Sequence, residues 1–206
     1  MEAVATLKPK VKALKKAIPV ELIYEIDEGT PIYYRGYREV LSGKLTIEDI
    51  MGTSKKQSFL IIQLIARLIG FNIERFYHLF SSELGLKFKK SQRAADIALI
   101  AKDRMTFDEI WQSEYSDKIP DIIIEIDTQA DLTEMPDPAS YFFKKTKQLL
   151  DNGASKIIWV FTETETVMVA EQGKTRWEVM PWSQDIAVSH GFSFNIEKIL
   201  SEYRGK

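Results

Sequence analysis

The most apolar stretch of the chain, residues 120–127 (PDIIIEID), predicts a buried β-strand. β-branched isoleucine favours the extended backbone, and a proline opens the stretch. Side chains of a strand alternate between its two faces. One face therefore carries Ile122, Ile124 and Ile126, and the other carries Asp121, Ile123, Glu125 and Asp127. Because so apolar a run belongs inside a sheet, its carboxylates need a cation, hydrogen bonds or water. A metal is the most economical partner, since Mg²⁺ prefers carboxylate oxygens.

Helical periodicity predicts two longer helices. The first begins after Ser54, a plausible N-cap, and runs to about Gly70. Its apolar positions, expected to face a sheet, are Leu60, Ile61, Leu64, Ile65, Leu68 and Ile69. The second begins at Asp137-Pro138 and ends at Asn152-Gly153. Short helices are expected at 46–52, 106–112 and 196–203, and residues 73–80 either extend the first helix or form another.

Further strands are predicted at 84–89, 94–101 and 156–161, with a hairpin formed by 166–170 and 176–180. The order of helices and strands indicates an α/β fold, with a mixed sheet flanked by helices. A length of 206 residues allows one domain, 20–206, preceded by a basic arm, 1–19. We expect the arm to be a solvated tail rather than a nucleic-acid-binding segment.

Composition narrows the functional classes. The chain is 45% hydrophobic and 28% charged, as is ordinary for a globular protein, and no apolar run approaches the roughly 20 residues of a membrane span. The absence of cysteine excludes disulfides and thiolate metal sites, and fits a cytoplasmic protein. A net charge of −2 gives no global attraction to nucleic acid, so such binding would require local basic patches.

Asp96 and Glu125 are the candidate metal ligands, because each is an acid within an apolar predicted strand. On neighbouring strands their carboxylates would reach one divalent cation, which can activate a water and neutralise a scissile phosphate. Of the three lysines on the following helix, Lys145 lies at the border of the buried face and should point towards the acids, in preference to Lys144 or Lys147. The alternative is that both acids are buried structural groups.

The chain resembles a large and mostly uncharacterised bacterial family of restriction-endonuclease-like proteins within the PD-(D/E)XK nuclease superfamily. Over residues 20–185 the resemblance rests on YEID at 24–27, ADIA at 95–98, PDIIIEI at 120–126, Lys145, and NGASKIIWV at 152–160. It implies a restriction-endonuclease-like fold and a Mg²⁺-dependent (or Mn²⁺-dependent) phosphodiesterase. Asp96 and Glu125 would then be metal ligands, and Lys145 would replace the superfamily lysine from a position on the helix.

Three departures from the superfamily pattern bear on activity. Ala95 stands where a proline usually precedes the first aspartate, Asp127 stands where a lysine often follows the glutamate, and Thr128 is preceded by that extra acid. The second departure makes catalysis depend on Lys145. Two functions therefore remain open: a Mg²⁺-dependent endonuclease, with DNA the expected substrate and a homodimer expected for cleaving both strands, or a catalytically silent module that binds nucleic acid or protein.

Several other side chains have a structural and a functional interpretation. Asp121 is expected to be a turn or capping residue and Asp127 a strand-end acid, whereas Glu25 is a possible further ligand. His78 and His190 have no second ligand at helical spacing, so they are interpreted as packing or surface residues. The polar residues 90–93 are expected to join the strands 84–89 and 94–101. The basic cluster Lys87, Lys89, Lys90 and Arg93 could contact a phosphate backbone, but a solvated loop is the favoured interpretation. The aromatic-basic cluster Tyr33, Tyr34, Arg35, Tyr37 and Arg38 could stack on bases or cover the edge of the core.

Overall fold

The computed structural model describes residues 18–112 and 115–204. The predicted N-terminal arm therefore lies, up to residue 17, outside the described residues. The strands are β1 (Ile23–Asp27), β2 (Thr30–Tyr33), β3 (Tyr77–Phe88), β4 (Ser91–Ala101), β5 (Ile122–Ile126), β6 (Lys156–Phe161), β7 (Thr166–Glu171), β8 (Glu178–Pro181), β9 (Ile186–Ser189) and β10 (Phe192–Phe194). The helices are α1 (Tyr37–Leu41), α2 (Ile47–Met51), α3 (Lys55–Gly70), α4 (Phe107–Ile110), α5 (Ala139–Asp151) and α6 (Ile196–Ser201).

Eight strands form one mixed sheet in the order β2-β1-β4-β5-β6-β7-β8, with β3 paired to β4. Only the β5–β6 pair is parallel among these pairings, because α5 crosses over between the two strands. The small β9–β10 hairpin is a separate two-stranded sheet. This arrangement confirms the predicted α/β fold with a mixed sheet flanked by helices. No helix among the described residues is long and apolar enough to cross a membrane.

Strand β5, which corresponds to the predicted strand at residues 120–127, lies in the middle of the sheet, and all five of its residues are buried. Its two faces pack into different cores, as alternation requires. Ile122, Ile124 and Ile126 pack with α3 residues in one core, whereas Ile123 packs with residues of α5 in the other. Apolar burial on both faces explains why this segment reads as an almost unbroken isoleucine run.

Helix α3 begins as predicted, because the Ser54 side chain accepts a hydrogen bond from the Gln57 N–H. Leu60, Leu64 and Leu68 are buried along its inner stripe. Ile69 was predicted to face the sheet, but its side chain is exposed (52%), because the helix turns it away near its C-terminal end. The predicted boundary therefore holds, while the buried stripe is narrower than expected.

The helical alternatives for residues 73–80 were both wrong. A single 3₁₀ turn, Ile73–Arg75, leads directly into β3, which pairs with β4 almost along its length. Cross-strand pairing overrides the helical spacing of the apolar residues in this segment. The polar stretch 90–93 was expected to join two strands, yet Ser91, Gln92 and Arg93 already belong to β4.

Candidate active site

The candidate site lies where β4 changes partners. One edge of β4 pairs with β3, and its other edge is shared by two strands: Gln92 pairs with Ile26 of β1, and 97–99 pair with 122–124 of β5. Between these pairings the backbone of Ala94 bonds to side chains instead of a strand. The Ala94 N–H donates to Glu25 Oε1 (3.1 Å), and Lys145 Nζ donates to the Ala94 carbonyl (2.9 Å).

Lys145 occupies the centre of this fork in the sheet. Helix α5 delivers its fully buried side chain, and Nζ lies 2.8 Å from Glu25 Oε1 and 3.0 Å from Glu125 Oε1. The ring of Trp159 is 5.3 Å away, giving a cation–π contact. Burial alone would lower the pKa of Lys145, but the two glutamates raise it well above its ordinary value. The ammonium is therefore charged at neutral pH.

Glu25 holds Lys145 in place together with Arg93. Its Oε2 lies 2.8 Å from Arg93 Nη1 and accepts a hydrogen bond from the Tyr141 hydroxyl at 2.8 Å. Burial opposes ionisation of this carboxyl, yet Lys145 and Arg93 lower its pKa below the usual range. A buried carboxylate with two cations and a hydroxyl donor is electrostatically satisfied.

Glu125 is less well satisfied. Its Oε1 is 3.0 Å from Lys145 Nζ, but the geometry is not that of a hydrogen bond, so this buried oxygen accepts none within the described part of the chain. Burial raises the pKa of Glu125 to about 8, and Asp96 and Glu25 add to the shift although Lys145 opposes it. Burial therefore disfavours the charged form of this carboxyl, and a cation beside it favours that form.

Asp96 approaches the same point from β4. Its Oδ2 accepts a hydrogen bond from the Ile126 N–H (2.7 Å), and Gln57 Nε2 donates to Oδ1 (3.2 Å). Burial raises the pKa of Asp96, while the bonds from Ile126 and Gln57 act in the opposite direction. Gln57 comes from the first turn of α3, so the helix that packs on the sheet also orients this carboxylate.

The acids fit a metal site with few protein ligands. Within 18–112 and 115–204, no group of three or more His, Cys, Asp or Glu residues is arranged to hold a metal ion. Mg²⁺, however, is commonly bound by one or two carboxylates, with waters and substrate phosphates completing its shell. Glu125 Oε1 accepts no hydrogen bond from the described residues, and burial raises the pKa of both Asp96 and Glu125, so a further cation would stabilise the charged form of these two carboxylates.

The two other acids of the 120–127 stretch have structural partners, as expected from the sequence. Asp121 accepts from the Ala101 N–H and pairs with Arg104, both at 2.7 Å. Asp127 accepts from the backbone and side chain of Thr162. Each acid therefore stabilises one end of β5 through these contacts.

The two other lysines of α5 point away from the acids at the fork. Lys144 pairs with Asp27 and Glu28, and Lys147 pairs with Asp151. Lys145 alone among the three reaches Glu125.

The remaining sequence candidates pack structurally. His78 bonds to the Met105 carbonyl, and His190 stacks on Phe76. Arg93 was placed in a basic loop cluster, which was wrong: it is buried in β4, where its partners are Glu25 and Asp27.

The aromatic-basic cluster covers an edge of the core. Tyr34 and Tyr37 are buried, Tyr37 stacks on Tyr33, and the Arg38 guanidinium lies over the Tyr37 ring. Arg38 also pairs with Asp131. This arrangement favours the structural interpretation of the cluster over base stacking.

Sequence reasoning missed three residues that build the site. Arg93 and Tyr141 bind Glu25, and Gln57 binds Asp96. The usable signal was a polar residue at a buried position of a patterned element, namely Gln57 in the apolar stripe of α3.

An open pocket of about 460 Å³ borders the fork on the side of Glu25 and Arg93. Tyr24, Tyr34 and Glu83 also line it. Burial raises the pKa of Glu83, and the negative charge of Asp96 adds to the shift, so the ionisation of Glu83 depends on the charge at the fork. The pocket gives the buried cluster a polar boundary facing solvent.

Comparison with known proteins finds a solved structure with a similar fold. No protein-family model matches the chain, and no curated protein matches it. A crystal structure described as "a putative nuclease belonging to DUF820 from Anabaena variabilis" is similar, with a TM-score of 0.63 and 17% sequence identity. The similarity covers 88% of this chain and 92% of that one. The chain thus shares its fold with a protein described as "a putative nuclease".

Proposed function

We propose that the protein is a Mg²⁺-dependent endonuclease that hydrolyses phosphodiester bonds, with DNA as its substrate. The observation that carries the proposal is the fork of β4, where Lys145 Nζ lies 3.0 Å from Glu125 Oε1 and Asp96 accepts a hydrogen bond from the N–H of Ile126, the residue after Glu125. Two carboxylates beside a fixed ammonium suit phosphodiester hydrolysis, because negative charge develops on the phosphate oxygens. The nuclease description of the structural relative agrees with this proposal.

Asp96 and Glu125 would hold the metal. When bound, Mg²⁺ lowers the pKa of a water and offsets phosphate charge. Gln57 and the Ile126 N–H orient the Asp96 carboxylate towards the fork. Within the described part of the chain, Glu125 Oε1 accepts no hydrogen bond and is paired with Lys145 alone, so a metal would compete with that ammonium for the carboxylate.

Lys145 would position the attacking water or stabilise charge on the phosphate. Its ammonium is kept charged by Glu25 and Glu125, so it acts as an electrostatic group and not as a general base. Glu25, fixed by Arg93 and Tyr141, restricts the position of Nζ. Preorganised electrostatic stabilisation of this kind is usually the largest single contribution to catalysis.

The test is a calorimetric titration of Mn²⁺ at pH 8.5, where the Glu125 carboxyl is mostly ionised without metal. Asp96→Ala and Glu125→Ala should each abolish saturable binding, while Glu178→Ala, at an exposed acid on edge strand β8, should bind as the wild type does. Hydrolysis of bis(4-nitrophenyl) phosphate and of labelled DNA should be lost in the same two variants. Binding or hydrolysis that survives both substitutions would overturn the proposal.

A catalytically silent nucleic-acid- or protein-binding module is the second candidate. It is favoured by the burial of all three residues and by Lys145 already having carboxylate partners. Such a module would bind its partner with the same affinity after Glu125→Ala, and would hydrolyse neither substrate. The same set of variants therefore separates the two functions.

The proposal includes a homodimer, since two copies of the site would cut both strands of a duplex most simply. Light scattering with and without duplex DNA would measure the mass of the protein in solution and so its oligomeric state. Cleavage of both strands in one encounter by a strictly monomeric protein would contradict this part.

A further inference from the structure

A second pocket, also of about 460 Å³, lies on the other side of the sheet from α5. The first turn of α3 and the loop after β6 border it, and Trp182 and Arg204 close it. Phe59 and Leu60 add apolar wall. This pocket takes no part in the cluster of Glu25, Lys145 and Glu125.

Three cations line this pocket without an acidic partner. Lys55, Lys56 and Arg204 form no ion pair with any residue of 18–112 or 115–204. Many of the chain's other basic side chains do pair, as Lys144, Lys156 and others show. Glu165 contributes the one acid to the described lining. The local field at the pocket is therefore positive although the chain as a whole is not.

The backbone adds donors at the same place. Helix α3 begins at Lys55, and the first amides of a helix have no intrahelical acceptor. The Ser54 side chain satisfies the Gln57 N–H, which leaves the amides of Lys55 and Lys56 available. Such a terminus of a 16-residue helix favours an anion.

Trp182 supplies an independent sign of a missing ligand. The residue lines the pocket and is 9% exposed, and its buried indole Nε1–H has no acceptor in the described part of the chain. A buried donor without an acceptor costs free energy that a ligand oxygen would recover. The pocket thus combines unpaired cations, free amides and an unsatisfied side-chain donor.

Two contacts link the pocket to the candidate active site. Gln57 follows Lys56 directly and donates to Asp96. Thr162, which lines the pocket, donates to Asp127, two residues after Glu125. The pocket is therefore connected through Gln57 and Thr162 to Asp96 and to the end of β5, from the face of the sheet opposite α5.

We propose that this pocket binds a backbone phosphate of a nucleic-acid strand, next to the phosphodiester presented to Asp96 and Glu125. The inference rests on the proposed function for its substrate class. Lys55, Lys56 and Arg204 neutralise the phosphate, and the start of α3 donates to its oxygens. The apolar wall formed by Phe59 faces the adjoining sugar or base.

The test measures binding of a fluorescein-labelled 20-nucleotide DNA, single-stranded in one arm and duplex in the other, by anisotropy over a range of salt concentrations. The double variant K55A/K56A should weaken binding about tenfold at low salt and reduce the slope of log K against log salt by roughly 1–2. Both lysines are exposed, so the fold is unaffected. Trp182→Phe, which keeps the ring and removes the unsatisfied donor, should weaken binding by a smaller factor.

The matched control is R75A/K102A, which removes the same charge at the far end of α3, roughly 24 Å away by the helical rise. Both residues are exposed, and Lys102 bonds through its backbone to Phe76 beyond that helix end. The control should bind within about twofold of the wild type. Equal losses in the two double variants, or no binding of either DNA by the wild type, would overturn the inference.

Failure of the inference is separable from failure of the proposed function. Bis(4-nitrophenyl) phosphate has no flanking backbone, so K55A/K56A should hydrolyse it at the wild-type rate. If the wild type hydrolyses this substrate but binds DNA equally well without Lys55 and Lys56, the phosphate-pocket inference is wrong and the nuclease proposal stands. If DNA binding depends on Lys55 and Lys56 but no substrate is hydrolysed, the phosphate-pocket inference stands and the catalytic proposal is wrong.

Discussion

Lys145 Nζ lies 2.8 Å from Glu25 Oε1, and this contact joins α5 to β1 across the sheet. The same ammonium bonds to the β4 backbone at Ala94 and lies near Glu125 of β5. One cation thus ties one helix to three strands at the point where β4 leaves β5 for β1. Removing Lys145 or Glu25 from so buried a network leaves uncompensated charge, so these two residues should matter for stability as well as for function.

Glu25→Gln should make the protein less stable and less acid-sensitive. The substitution leaves Lys145 and Arg93 without their shared carboxylate, and we expect a loss of about 3 kcal/mol at pH 7. The folded pKa of Glu25 is lowered from the ordinary 4.5, so its stabilisation is present above pH 4.5 and is lost as the pH falls through the folded pKa. Urea unfolding between pH 7 and pH 3.5 measures both effects. Identical pH profiles of the wild type and the variant would contradict the ion-pair interpretation.

Lys145→Met should abolish hydrolysis and reduce stability, by about 3 kcal/mol, because Glu25 and Glu125 lose a buried cation. Lys144→Met, at the next position of α5, is the matched control. Its half-exposed side chain pairs with Asp27 at the surface, so less than about 1 kcal/mol is expected. Urea denaturation and bis(4-nitrophenyl) phosphate hydrolysis provide the two measurements. A variant of Lys145 that keeps full activity would exclude a catalytic role.

Glu125→Gln should leave the metal-free protein as stable as the wild type, or more stable. A buried carboxyl whose pKa is raised to about 8 gains little from its charge in the fold, and glutamine avoids the cost of ionising it. Thermal unfolding in EDTA measures this. Marked destabilisation of the variant would identify Glu125 as a structural acid and would weaken the metal proposal.

Gln57→Leu should lower the affinity for Mn²⁺ by roughly 10–100-fold while preserving the fold. Gln57 does not belong to the proposed ligands, but its amide donates to both carboxylate oxygens of Asp96 and sets their direction. Ser58→Ala, at the exposed neighbouring position, is the control. Calorimetry supplies the affinities, and circular dichroism supplies the check on folding. Equal Mn²⁺ affinity in Gln57→Leu and the wild type would show that Asp96 needs no such positioning.

Much of the fold was determined by the sequence alone. The isoleucine run predicted β5, Ser54 predicted the start of α3, and Asn152-Gly153 predicted the end of α5. These signals are local: the alternation of a strand, the donor needs of a helix start and the left-handed conformation of Gly153. The same patterns singled out Asp96, Glu125 and Lys145. The structure places Lys145 Nζ 3.0 Å from Glu125, and the roles of the three residues stay predictions.

Tertiary structure alone decided the rest, because the deciding contacts join residues distant in the chain. Residues 77–80 became strand when they paired with β4, although their apolar spacing permitted a helix. Arg93 carries a charge typical of a loop, and it is buried only because Glu25 and Asp27 meet it there. Glu25 entered the centre of the site because β4 exchanges β5 for β1, an event that no local pattern records. A charged side chain can be buried only where the fold supplies a partner of opposite charge. The sequence contains those partners, but only the tertiary structure brings them into contact.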